Sequence, residues 1–179
     1  MNIHKLLSTK ERVKILRLIL YRTNPLRVNE VARESELSKG LISKFFDVLL
    51  EEGILEKIDA KFSVQDNPNT SAIKILLNIE CFDTALFNKF TFVSGAGLYG
   101  SFVKGKNTEE SDIDAWVLID KTDEENLARL TSELKRRYEN IKPLYLTREK
   151  IEILKREDPL FYHSLVFGSI NVYGEGIEI

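Results

Sequence analysis

Apolar residues recur every three or four positions through the first third of the chain, and this spacing predicts three short helices. Their predicted N-caps are Ser8, Asn29 and Ser38. The third helix carries the longest apolar stripe, which is formed by Leu41, Ile42, Phe45, Leu49 and Leu50. Two apolar segments, 54–58 and 61–64, follow on either side of a turn and predict a short β-hairpin.

Three helices followed by a hairpin is the element order of a winged helix-turn-helix. The segment VNEVARESELSKGLISKFFDVLLEEGILEKI resembles the winged helix domains of prokaryotic transcription regulators. That resemblance implies that the helix beginning at Lys39 enters the major groove of DNA. The expected DNA contacts are Arg27, Lys39, Ser43, Lys44 and Lys61.

The charges of this third helix leave a second interpretation open. Asp47 is predicted on its outward face and would repel phosphate there, as would the Glu51-Glu52 pair if it faced the DNA. Winged helices also serve as protein–protein modules, so binding of a protein remains an alternative to binding of DNA. A homodimer would double the DNA contacts, but nothing in the sequence shows one.

The second half of the chain alternates predicted strands and helices after a turn-rich break at 66–70. We place the domain boundary at this break, which gives a winged helix-turn-helix domain over 1–67 and a second domain over 68–179. Predicted strands end near residue 99, cover 111–119 and cover 140–147, and the predicted caps of the intervening and following helices are Thr122, Thr147 and Asp158. The fold class is therefore α+β, with a small mixed sheet and helices in the second domain.

Two short motifs in the second domain carry candidate chemistry. Gly100-Ser101, the glycine–serine corner, follows a strand end, where glycine lets the backbone approach a ligand and serine can begin a helix that faces phosphate. About ten residues later, the sequence Ser-Asp-Ile-Asp at 111–114 opens the next strand. Because side chains alternate along a strand, Asp112 and Asp114, the acid pair, share one face about 7 Å apart. Two such carboxylates can bind Mg²⁺, which takes its remaining ligands from water and nucleotide phosphates.

These motifs in this order resemble the DNA polymerase beta-like nucleotidyltransferase superfamily, in particular its minimal prokaryotic members, which are often fused to a winged helix. The matching residues are Gly100, Ser101, Gly105, Ser111, Asp112 and Asp114. Lys104 keeps the positive charge of an arginine common in the family, whereas Phe102 departs from another. The resemblance implies that an NTP, with ATP expected, binds at Gly100, Ser101, Lys104, Gly105 and Ser111. It also implies that Asp112 and Asp114 are the catalytic pair and hold Mg²⁺ during transfer of an NMP group.

The third carboxylate of the family has no counterpart at the expected place. Family enzymes generally supply this acid from a neighbouring strand, where it activates the acceptor hydroxyl and shares the metal ion. The predicted partner strand, 140–147, contains no acid, and Lys142 or Leu144 occupies the expected position. Glu109 or Glu110 could in principle substitute; the alternative is that both are solvated loop charges.

Composition and charge indicate the class of protein that carries these motifs and the compartment in which we expect it. Hydrophobic residues make up 43% of the 179-residue chain and charged residues 30%, which is typical of a globular protein. A single cysteine excludes an internal disulfide framework, and together with two histidines it argues against a zinc site. We predict no signal peptide, no membrane span and no membrane partner, so we expect a cytoplasmic protein. Residues 1–65 carry 12 basic and 9 acidic side chains, whereas the rest carry 14 and 19, a weak indication that the first half meets nucleic acid.

Two functions follow from the sequence. The first is a Mg²⁺-dependent nucleotidyltransferase that moves NMP from an NTP to the hydroxyl of a protein, a nucleic acid or a small molecule. The resemblance to minimal antitoxin-type transferases suggests a protein acceptor such as a cognate toxin. The alternative is a non-catalytic winged-helix regulator whose degenerate transferase domain binds nucleotide or a partner protein.

Overall fold

The chain folds as two units, and the computed structural model describes residues 1–177 of it. The N-terminal unit comprises Met1–Leu77 together with Gly105–Glu110, and the C-terminal unit comprises Asn78–Lys104 together with the described residues from Ser111 onward. None of the helices described over 1–177 is long and apolar enough to cross a membrane.

Helices and a two-stranded hairpin form the N-terminal unit. Its elements are α1 (Ile3–Leu7), α2 (Lys10–Ile19), α3 (Val28–Ser35), α4 (Lys39–Glu51), β1 (Leu55–Ile58), β2 (Lys61–Val64) and the beginning of α5 (Pro68–Cys81). Strands β1 and β2 pair antiparallel, with Leu55 opposite Val64. This arrangement is the winged helix-turn-helix that the hydrophobic spacing predicts.

The N-caps of the first three long helices agree only in part with the sequence prediction. Ser38 caps α4 as predicted, since its hydroxyl accepts a hydrogen bond from the backbone N–H of Leu41 at 3.3 Å. The prediction of Ser8 is wrong, because Ser8 ends the unpredicted helix α1 and Thr9 caps α2 instead. The prediction of Asn29 is also wrong, because α3 begins at Val28 and Arg27 precedes it without a side-chain cap.

The apolar stripe of α4 is buried as predicted at Ile42, Phe45 and Leu49, which pack in the core of the N-terminal unit. Leu41 departs from the prediction, since 36% of its surface is exposed. Ile73 and Leu77 of α5 pack in the same core. Their burial explains why the first part of α5 belongs to this unit, although the sequence prediction places the boundary just before that helix.

A four-stranded mixed sheet is the centre of the C-terminal unit. Its elements after α5 are a 3₁₀ helix (Thr84–Lys89), β3 (Val93–Leu98), α6 (Ser101–Lys104), β4 (Ile113–Ile119), α7 (Glu124–Arg137), β5 (Ile141–Leu146), α8 (Arg148–Glu157), α9 (Pro159–Gly168) and β6 (Ile170–Gly174). The strand order is β5-β4-β3-β6. β4 is parallel to β5, whereas β3 is antiparallel to both of its neighbours.

Side chains alternate along β4, so this strand contributes residues to both hydrophobic cores of the C-terminal unit. Ala115 and Val117 lie in one core with Leu130 and Leu134 of α7. Trp116 lies in the other with residues of α8 and α9. The apolar face predicted from 113, 115, 117 and 119 is therefore confirmed, and the face that begins with the acid pair becomes a buried core two residues further along.

The caps of the helices in the C-terminal unit are mostly those predicted. Thr147 caps α8 and Asp158 caps α9 through hydrogen bonds from the backbone N–H three residues ahead. The prediction of Thr122 for α7 is wrong by one position, because Asp123 accepts the N–H of Asn126 at 2.7 Å. Adjacent Thr and Asp are both good caps, and sequence alone does not resolve a one-residue choice between them.

Residues 105–110, the inserted loop, leave the C-terminal unit between the glycine–serine corner and the acid pair and pack in the N-terminal unit. The backbone N–H of Glu109 donates to the carbonyl of Tyr21 at 3.0 Å. The ammonium of Lys74, a side chain that is almost completely buried, donates to the carbonyl of Asn107 at 2.9 Å. Lys106 forms an ion pair with Asp66. The N-terminal unit is thus built from two separate stretches of chain.

Candidate active site and DNA interface

The acid pair lies at the start of β4, in the C-terminal unit. Asp112 directly precedes the strand and Asp114 is its second residue. Both are partly exposed, whereas Trp116, two positions further along the same face, is 1% exposed. The pair therefore lies at the accessible end of a face that is otherwise core, and it is open to a ligand.

The glycine–serine corner lies directly against this pair. Gly100 follows β3 with a positive φ of 71°, a conformation that favours glycine. A Cβ atom at this position would collide with the carboxylate of Asp114. The backbone N–H of Tyr99 donates to the carbonyl of Asp114 at 3.0 Å, which continues the pairing of β3 with β4. Glycine is required here for two reasons, the backbone angle and the close approach of a carboxylate.

Ser101 begins α6, a helix of only four residues that ends at Lys104. Ser101 is partly exposed and Lys104 is exposed, so both can contact a ligand. The side-chain amide of Asn78, a buried residue, donates to the carbonyl of Phe102 at 2.8 Å and fixes this short helix from α5. Asn78 is a functional candidate that the sequence analysis missed, although an asparagine among the apolar residues of a helix was a usable signal.

Gly105 is the first residue of the inserted loop, and Ser111 follows its last residue. Gly105 has a positive φ of 63°, and a Cβ atom there would collide with the backbone of Ser71 in the N-terminal unit. The structure thus explains this glycine by packing, without any ligand. Ser111 is partly exposed and directly precedes Asp112. Of the residues predicted to bind nucleotide, Gly100, Ser101 and Lys104 lie together at the corner.

Lys142 occupies the position where the family resemblance expects a third acid. In the parallel pairing of β4 with β5, Lys142 is the partner of Asp114, and Leu144 is the partner of the buried Trp116. Residue 142, not 144, therefore lies level with the acid pair. The ammonium nitrogen of Lys142 is 2.5 Å from a carboxylate oxygen of Asp112.

Over the described residues 1–177, no third acid joins the pair. Among residues 1–177, no group of three or more His, Cys, Asp or Glu side chains is placed to hold a metal ion. Glu109 and Glu110 are exposed and belong to the inserted loop of the N-terminal unit. A divalent ion at this site would be held by two protein carboxylates, with its other ligands coming from phosphate and water.

Burial and a neighbouring carboxylate disfavour the charged form of Asp114. The pKa of Asp114 is raised, first because partial burial penalises its charge and then because Asp112 repels it, while Lys142 acts in the opposite direction. The pKa of the neighbouring Tyr99 is raised by burial and by the charge of Asp114. Two neighbouring carboxylates at the accessible end of a strand can bind a divalent cation, which must displace the ammonium of Lys142 from Asp112.

The predicted DNA contacts all lie on the surface of the N-terminal unit. All of the predicted contacts are exposed, namely Arg27, Lys39, Ser43, Lys44 and Lys61. Lys39, Ser43 and Lys44 belong to α4, and Lys61 belongs to the hairpin. Asp47 on α4 is also exposed, so the helix presents both signs of charge. Each predicted residue is accessible to DNA.

Comparison with protein families gives two matches. Residues 84–175 match the family model described as "Polymerase beta, Nucleotidyltransferase", a stretch that contains the glycine–serine corner, the acid pair and Lys142. Residues 9–57 match the model described as "Bacterial regulatory protein, arsR family", a stretch that contains α2, α3 and α4. A comparison with curated proteins finds no match.

Proposed function

This chain belongs to the polymerase beta nucleotidyltransferase family, and we propose that its C-terminal unit transfers an NMP group from an NTP to an acceptor hydroxyl. ATP is the expected NTP, and Mg²⁺ is the expected cofactor, held by Asp112 and Asp114. The observation that carries the proposal is the contact of Gly100 with the carboxylate of Asp114, where glycine alone leaves room. This contact brings a backbone corner suited to phosphate next to the two ligands suited to a metal ion.

The chain's own residues have distinct tasks in this reaction. Ser101 and the backbone N–H groups at the start of α6 bind phosphate oxygens, and Lys104 adds a positive charge. Asp112 and Asp114 would hold Mg²⁺, which when bound would neutralise phosphate charge and polarise the attacking hydroxyl. The acceptor hydroxyl gives its proton to water and its oxygen forms a bond to the α-phosphorus. The bond from that phosphorus to the bridging oxygen breaks, and pyrophosphate leaves with the electron pair.

Labelling of an acceptor tests this proposal. The protein is incubated with ATP labelled at the α-phosphate, Mg²⁺ and cell extract, beside the double variant Asp112→Asn/Asp114→Asn. Asp120→Asn is the matched control, because Asp120 is an exposed aspartate just beyond the opposite end of β4. We expect label in the wild type and in the control and none in the double variant. Equal labelling by the double variant would remove the proposal.

The same experiment identifies the class of acceptor. Sensitivity of the labelled product to protease indicates a protein such as a cognate toxin, and sensitivity to nuclease indicates a nucleic acid. Label that resists both and passes a small-pore filter indicates a small molecule.

A second candidate function is favoured by Lys142, which stands where the third acid is expected. A missing general base typically costs about 10²–10⁴-fold in rate, and such a loss would leave a regulator that binds nucleotide without turnover. Calorimetry with ATP and Mg²⁺ distinguishes the two functions. Binding with neither pyrophosphate release nor labelling favours the regulator.

We further propose that the N-terminal unit binds DNA through α4 and the hairpin, at Arg27, Lys39, Ser43, Lys44 and Lys61. Its winged helix fold and the exposure of these residues support the proposal. We expect Lys44→Glu to weaken retardation of genomic fragments at low salt and to flatten the dependence of affinity on salt. Lys135→Glu, on α7 in the C-terminal unit, is the control with the same change in net charge. Absence of retardation by the wild type would contradict DNA binding.

A further inference from the structure

Lys142 has a position and a partner that the nucleotidyl transfer proposed above does not use. It is the partner of Asp114 in the β4–β5 pairing, and its ammonium lies 2.5 Å from Asp112. In the absence of other cations, the ammonium is thus the positive charge that compensates this carboxylate.

The lysine is free to leave this position without any change of the backbone. β5 is an edge strand of the sheet, and the Lys142 side chain is 66% exposed, against 43% for that of Asp112. Exposed ion pairs of long side chains are weak and exchange readily with solvent. The ammonium can therefore be displaced, and its long side chain can reach other anions nearby.

We propose that Lys142 is a built-in counterion of the acid pair, which disfavours a free divalent cation and yields to one that arrives with a nucleotide. This inference rests on the proposed nucleotide and metal site. A free cation must break the ion pair and then lie beside a displaced ammonium that repels it. A cation carried by a triphosphate brings negative phosphate oxygens, which give the displaced ammonium a new partner.

This counterion role predicts a coupling between binding of the divalent cation and binding of the nucleotide. Nucleotide should increase the affinity for the cation more when Lys142 is present than when it is absent, because only then does the nucleotide relieve a repulsion. Lys142 is accordingly a positioning residue, and its signature is the coupling, not the activity alone. A lysine that served only to stabilise the strand would leave this coupling unchanged.

Binding of Mn²⁺, followed through the electron paramagnetic resonance signal of the free ion, tests the proposal on the full chain. The proteins compared are the wild type, Lys142→Ala, Lys142→Gln and Lys142→Arg, each with and without a non-hydrolysable ATP analogue. Lys135→Ala is the matched control, because it removes an exposed lysine that belongs to α7 and not to the strands of the acid pair or of Lys142. Circular dichroism and the midpoint of thermal unfolding verify that each variant is folded.

We expect both neutral variants to bind free Mn²⁺ roughly three- to tenfold more tightly than the wild type, the range of an exposed ion pair together with the lost repulsion. We expect Lys142→Arg and Lys135→Ala to match the wild type. The increase in Mn²⁺ affinity caused by the analogue should shrink by the same factor in the neutral variants. Two neutral variants of different length guard against an effect of packing.

The failure of this inference is distinguishable from the failure of the proposed function. If the neutral variants bind Mn²⁺ no more tightly than the wild type while Asp112→Asn abolishes binding, the counterion role is overturned and the metal site stands. If no variant binds Mn²⁺ with or without the analogue, both proposals are overturned.

Discussion

At Gly100 a single hydrogen atom in place of a side chain decides whether the site can form. The positive φ of 71° there costs any L-residue other than glycine about 1–2 kcal/mol. The carboxylate of Asp114 occupies the space that a methyl group would fill. A substitution therefore acts twice, on the free energy of unfolding and on the position of a metal ligand.

We expect Gly100→Ala to lower the free energy of unfolding by about 1–2 kcal/mol and to weaken binding of Mn²⁺ and of an ATP analogue. Gly168→Ala is the matched control, because Gly168 ends α9 with no atom within 4 Å of an added Cβ. The control should retain both properties. Urea unfolding and a Mn²⁺ titration measure them, and unchanged binding by a folded Gly100→Ala protein would contradict the role of the corner.

At the scale of elements, the inserted loop and α5 are joined by a buried lysine. Lys74 donates to the carbonyl of Asn107, which is 2% exposed. Burial lowers the pKa of Lys74, so part of what the hydrogen bond contributes is offset by the cost of removing the ammonium from water. The net effect still favours the folded state, because a buried carbonyl without a donor is costly.

Lys74→Ala is expected to lower the free energy of unfolding by about 1 kcal/mol, since an unsatisfied buried group costs about 1–3 kcal/mol and the relieved burial of the charge returns part of it. Lys106→Ala is the control. Lys106 belongs to the inserted loop that Lys74 contacts, and its ion pair with Asp66 is exposed and contributes little. Chemical denaturation compares the two. A Lys74→Ala protein as stable as Lys106→Ala would show that the hydrogen bond contributes nothing.

Sequence patterns predict those elements that have strong periodicity and miss those that depend on long-range contacts. The stripe of α4 and the alternation of β4 are visible because burial on one face imposes a period. Helix α1 is too short to carry such a period, and the caps of α2 and α7 differ from prediction because adjacent polar residues compete for one position. Helix α3 begins after Arg27 without any side-chain cap.

In the candidate site, too, the sequence predicts the parts defined by local spacing and misses those that depend on long-range contacts. The acid pair and Gly100 follow from local spacing, and the sequence places either Lys142 or Leu144 opposite them. A choice between Lys142 and Leu144 requires the register of β4 against β5. That register depends on how the two strands pair, and the sequence of neither strand alone determines it. An asparagine among apolar helix residues marks Asn78, but its partner Phe102 lies 24 positions away, and no local pattern identifies it.

At the scale of the whole molecule, the chain passes between the two units three times, after Leu77, after Lys104 and after Glu110. A fragment 1–81, which keeps the whole of α5, retains Tyr21 and Lys74 but lacks the backbone groups of Glu109 and Asn107 that pair with them. We expect faster amide hydrogen exchange in α5 of this fragment than in the full chain. The hairpin β1–β2 serves as the internal control, and equal protection of α5 would contradict the expectation.

The two-part origin of the N-terminal unit has a practical result for anyone who dissects this protein. A gene truncated after residue 77 encodes a winged helix that lacks residues 105–110. A DNA affinity measured on that fragment would belong to an incomplete N-terminal unit. A faithful DNA-binding fragment needs a design that grafts 105–110 back onto the first 77 residues, or else substitutions in the intact chain.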